Sequence, residues 1–166
     1  MKAQISGQIF VFIFALIVAS SILLLGYNYL NKILAAGEEA DLKIFQDSIT
    51  SDVQRAKGYG TEFKNKQYTL PPPYKAICFA DLERITAPQK AGISEPLIKN
   101  SVTSGTRKNA FLSPDVTKSF YIDNLAVKDN YLCFVPAGRI VKISMVGCGD
   151  RTIITNLPSD TVDMCS

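Results

Sequence analysis

Residues 9–25 form a run of 17 positions in which only Ser20 and Ser21 are polar, and Gly26, Tyr27, Asn28, Tyr29 and Leu30 extend it to 22. A bilayer core about 30 Å thick takes roughly 20 apolar helical residues. The run therefore predicts a transmembrane helix, with Tyr27 and Tyr29 where amphipathic aromatics favour an interface. The apolar stretch of a cleaved secretory signal is shorter, about 7–15 residues. Ala35, Ala36 and Gly37 nevertheless offer small residues where a cut is conceivable.

The period then changes. Leu42, Phe45, Ile49 and Val53 recur at spacings of 3, 4 and 4, which defines one apolar face of a helix. Glu39 with Lys43, and Lys43 with Asp47, are opposite charges one helical turn apart. No Pro precedes position 71. One helix is expected over residues 9–57, roughly 73 Å long at about 1.5 Å per residue. Gly37 is its weak point, costing about 1 kcal/mol against Ala, so a kink or local melting is expected at Ala36-Gly37. Gly58-Tyr59-Gly60 supplies the stop.

After Gly60 the pattern shortens. Pro71, Pro72 and Pro73 stiffen an extended segment. Strands are expected over 74–82, 119–127, 130–136, 139–146 and 151–156. Pro136-Ala137-Gly138 reads as a hairpin connection between the third and fourth, and residues 147–150 as a second turn. Ser94 is expected to cap a short helix carrying Leu97, Ile98 and Val102, and residues 103–109 read as loop. The predicted class is α+β: a long membrane-spanning helix continues as an amphipathic helix packed on a small antiparallel sheet. The corresponding divisions are a leader at 1–7, a transmembrane helix at 8–30, a helical extension at 31–60 and a β-rich head at 61–166.

Composition narrows the chemistry. The chain has 18 Lys and Arg against 15 Asp and Glu, a net charge of +3, too small to point to nucleic acid. It has no His, which removes the commonest general base and zinc ligand. Residues 3–31 carry no charge, and all acids follow position 37. Lys2 on the short side and Lys32 beyond the run give a small asymmetry, read as N-terminus in and head out. Cys78, Cys133, Cys148 and Cys165 all follow the membrane segment without a CxxC pair, so disulfides are expected of an extracytoplasmic head. Three connectivities are open; Cys78–Cys133 and Cys148–Cys165 are preferred, the first joining two central strands and the second tying down a tail.

No catalytic, cofactor or metal motif is present, and no enzyme activity is expected. Asp81 and Glu83 would share a face of an extended segment, although a solvated turn accounts for both. Arg139, Lys142 and Arg151 suggest a basic patch on adjacent strands, against the plainer reading of a solvated sheet face. Tyr59, Phe63, Tyr68 and Tyr74 are assigned to packing of the head. Ala15 and Ala19 form a small-xxx-small pair that lets another helix approach.

A short polar leader ending in Gly7, then Gln8, a long apolar run, an amphipathic extension and a disulfide-bearing β-rich head resemble a type IV pilin-like protein of the archaeal kind. The resemblance covers the whole architecture, and its sequence-specific part is Gly7-Gln8 with the run that follows. It implies that a membrane leader peptidase cuts after Gly7, making Gln8 the first mature residue. It also implies that the helices bundle into an extracellular filament or pseudopilus. Phe10, Phe12, Phe14, Ala15, Ala19 and Leu23 would serve that helix packing, and the partners would be copies of the chain or related pilins and the lipid bilayer. Phe12 occupies the fifth mature position, where such pilins often carry Glu, and Ser6 stands where Lys or Arg is common. The alternative is an uncut single-pass anchor that displays a binding or accessory head outside the cytoplasm.

Overall fold

The computed structural model describes residues 4–156 and 165; of residues 4–8 and 35 it describes the backbone only. The chain divides into two units, residues up to Ala40 and from Asp41 onward. A single helix, α1 (Gln4–Ala56), supplies the first and enters the second. It continues through Gly37, where a kink or melting was expected. One glycine among good helix formers is too small a cost to break so long a hydrogen-bonded run.

The second unit is built around the last turns of α1. Leu42, Phe45, Ile49, Val53 and Ala56 are buried in one apolar core, so the spacing read from the sequence defines the helix face that packs. The last carbonyls of α1 are met by β-structure: Thr152 Oγ1 donates to Val53 O at 2.7 Å, and Gly149 N donates to Lys57 O at 2.9 Å. These bonds satisfy acceptors that every helix end leaves open.

Seven strands follow, with two short helices between the second and third: β1 (Glu62–Thr69), β2 (Ala76–Ala80), α2 (Ala87–Ala91), α3 (Pro96–Thr103), β3 (Ala110–Ser113), β4 (Leu125–Val127), β5 (Tyr131–Phe134), β6 (Ile140–Gly147) and β7 (Thr152–Thr155). They form two sheets rather than the single one expected, a four-stranded sheet ordered β1-β6-β7-β4 and a three-stranded sheet ordered β3-β2-β5. All pairings are antiparallel except β4 with β7. The class is α+β.

The three-stranded sheet is covered on both faces, which explains the near-continuous apolar run of β2. Ile77 and Phe79 face the core that holds α1. The alternating residues Cys78 and Ala80 face a second cluster with Ile85, Ile93, Ile98 and Val102. Phe79 meets Phe134 edge to face, ring centroids 5.9 Å apart.

Several expected elements differ. β1 was not foreseen: its register shifts between Phe63 and Lys66, and the bulge destroys the apolar alternation that marks a strand. Asn65 sits in this bulge at φ 50°, its N–H donating to Ser144 Oγ at 3.1 Å. Only Leu125–Val127 of the expected strand 119–127 is a strand. Upstream, Phe120 bridges Ala110, the buried Asn109 side chain bonds both backbone groups of Ile122, and Asn124 turns left-handed at φ 57°. Residues 136–138 do not join hairpin neighbours, because β5 and β6 lie in different sheets; β6 and β7 do form a hairpin across residues 147–150. Glu95, not Ser94, precedes α3 as its cap residue.

Candidate functional site

Three features carry functional chemistry, and the first is the apolar segment of α1. From Ile9 to Leu34 every large apolar side chain is exposed, with Phe10, Phe12, Phe14 and Leu23 at 72, 68, 69 and 73%. Among the described residues one candidate membrane span begins at Ile9, with a mean hydropathy of 2.9 over its most apolar 18 residues. The two hydroxyls of the run are satisfied within the helix: Ser20 Oγ donates to Leu16 O at 2.7 Å and Ser21 Oγ to Ile17 O at 2.8 Å. A lipid-facing helix needs this, because hydrocarbon offers no partners.

At 100° per residue, Phe12, Ala15, Ala19 and Leu23 share one face of α1, and Gly26 joins them; Phe10 and Phe14 lie on the other side. The six packing candidates thus divide between two faces, one of them low in relief. Gly7 and Gln8 lie within the helical backbone; their side chains are outside the described residues, as is the leader before Gln4.

A second feature is a groove of 740 Å³ on the second unit, beside α1. Buried Asp52 organises it, accepting from Tyr68 Oη at 2.8 Å and pairing with Lys66 Nζ at 2.6 Å. Burial, then the Asp52 hydrogen bond and charge, push the Tyr68 phenol well above its ordinary range. Lys66 Nζ also lies 5.1 Å from the Phe63 ring centroid. Arg139 lines this groove, and its Nε donates to Leu70 O at 3.4 Å. The four aromatics behave separately: Tyr68 is buried, Phe63 and Tyr74 pack partly against the core, and Tyr59 is 82% exposed.

The third feature is a cavity of 860 Å³ on the same unit, where loops between strands converge. It brings Asp81, Glu83 and Arg151 together with residues that sequence reasoning left unmarked, among them Arg84, Arg107 and Tyr121. Asp81 and Glu83 are not on an extended segment. Asp81 is buried and its Oδ1 accepts from Glu83 N and Arg84 N, each at 3.2 Å, so it braces a turn. Arg139 and Arg151 line different cavities, and Lys142 lines neither. The loop arginines gave no signal in the sequence because only the fold brings positions 84, 107 and 151 together.

Both disulfides form in the preferred pairing. Cys78 and Cys133 face each other in register across β2 and β5, joining the centre of the small sheet to its edge rather than two central strands. Tyr131 Oη donates to Cys133 Sγ at 2.9 Å; burial, then the charge of Glu95, push this phenol up to about 12. Cys148, in the β6–β7 turn, holds Cys165. Constraining loops of 55 and 17 residues stabilises by about 4 and about 3 kcal/mol on chain-entropy grounds. No described cysteine is free, and no group of three or more metal-ligating side chains occurs among the described residues. Comparison with protein-family models, with curated proteins and with solved structures finds no match to this chain.

Proposed function

We propose that the chain is a structural subunit of a type IV pilus-like filament or pseudopilus, assembled through its N-terminal helix, with a disulfide-bonded head outside the cytoplasm. One observation carries this reading: an uninterrupted, charge-free helical surface that is exposed on all sides from Ile9 to Asn31. Such a surface is stable only against lipid or other helices. It exchanges one for the other without burying a charge, so association rests on side-chain packing. Phe12, Ala15, Ala19 and Leu23 would form the contact face, and cleavage between Gly7 and Gln8 would release the helix for assembly.

Phe12 supports a second reading. An apolar residue at that position lacks a charge to fix register against a neighbour, which suits a permanent single-pass anchor for the head. The two are separated by the N-terminal peptide of the protein from its native envelope, read by mass spectrometry, together with microscopy of sheared surface material. A start at Gln8 and recovery in filaments support the subunit. A start at Met1, with all the protein retained in the membrane, rejects it in favour of the anchor.

A further inference from the structure

We infer that the 860 Å³ cavity binds an acidic sugar, a ring bearing both a carboxylate and hydroxyls. Three guanidiniums, Arg84, Arg107 and Arg151, line it. None makes an ion pair among the described residues, although four carboxylates line the same walls. Opposite charges that share a cavity without pairing leave donors and acceptors open to a ligand. Arg151 carries the strongest sign. Its Nε is buried and has no hydrogen-bond partner among the described residues, a costly state that native proteins rarely keep without a reason. A ligand carboxylate held by the terminal nitrogens of the guanidinium fork offsets that cost through its charge.

The mixed charge selects the ligand. A bare anion would meet Glu83 and Asp150 as well as the arginines, and would be repelled by them. A sugar acid uses both sets: its carboxylate takes the guanidinium donors, and its hydroxyls donate to Glu83 and Asp150. Tyr121 lines the cavity, is 58% exposed and offers an apolar face for the ring. The walls are held from below. Asp81 pins the turn bearing Glu83 and Arg84, and Asn109, two residues after Arg107, clamps Ile122 beside Tyr121. Binding therefore orders little chain, which favours affinity. This inference stands whether the chain is a filament subunit or an anchor.

The test is calorimetric titration of the full-length protein in detergent with a glucuronate-containing disaccharide, with its glucose counterpart and with inorganic phosphate. The acidic disaccharide is expected to bind at least about tenfold more tightly than the neutral one. Arg107→Gln and Tyr121→Ala, both at exposed positions, are each expected to weaken it about tenfold while leaving the thermal midpoint unchanged. Absence of binding, equal binding of the neutral disaccharide, or variants that bind as the parent does would overturn the inference. Displacement by phosphate at equal concentration would overturn the sugar assignment, reducing the cavity to an anion site.

Discussion

Asp52 is the residue on which most of the polar chemistry beside α1 converges. It is buried and holds two partners at once, the Tyr68 hydroxyl and the Lys66 ammonium. Asp52→Ala leaves a buried phenol unpaired and should cost about 3 kcal/mol. Tyr68→Phe keeps the ion pair and should cost about 1 kcal/mol. The two differ in pH dependence as well. Tyr68 is held protonated in the folded state, whereas the unfolded phenol ionises near pH 10. Its contribution is complete below that pH and declines above it, because only the unfolded state then gains by losing the proton. Denaturant midpoints measured from pH 8 to 12 should fall less steeply for Tyr68→Phe than for the parent. The slope that remains belongs in part to Tyr131, whose phenol is also raised. Gly147 is critical for a steric reason. A Cβ there would overlap the carbonyl oxygens of Ala56 and Gly58, where β6 crosses the end of α1. Gly147→Ala should cost about 3 kcal/mol in chemical denaturation.

α1 is one helix facing two environments. Its last turns bury an apolar stripe among protein side chains, while residues 9–34 expose apolar side chains on every side. The first segment contains a face of small residues, Ala15, Ala19 and Gly26, and an opposite face bearing Phe10, Phe14 and Leu24. If assembly uses the small face, Ala19→Phe should prevent the close approach of a second helix and abolish sheared filaments. Leu24→Phe should be tolerated. Membrane extraction measured alongside should be the same for both variants, since both remain apolar. Equal filament yield from the two would remove the small face from the proposed contact.

At the scale of the whole molecule, the β-rich region depends on a helix that precedes it in the chain. Leu42, Phe45, Ile49 and Val53 belong to the core shared with Ile77, Leu112, Phe134, Ile143 and Ile154. Burial of such side chains stabilises by about 1.5–3 kcal/mol each, so the four together match the net stability of an ordinary domain. Residues 61–166 produced alone should therefore expose this face, bind a hydrophobic dye and melt without a sharp transition. The fragment from residue 41 should melt cooperatively. A sharp melt of the shorter fragment would show that the strands hold a core without α1.

The sequence by itself determined what depends on local order. Apolar length set the candidate membrane helix, a 3–4 spacing set the face of α1 that packs, and paired turn residues set the β6–β7 hairpin. These signals are legible because residues adjacent along the chain share one environment. Tertiary structure alone decided the partition into two sheets, because strands of equal apolarity pair according to the faces they must bury. It also decided β1, where a bulge erased the alternation, and the left-handed Asn124 that confines the strand expected over 119–127 to Leu125–Val127. The cavity of Arg84, Arg107 and Arg151 is the extreme case. Its three arginines come from three separate loops, no periodicity links them, and only packing of the core beneath brings their charges to one place.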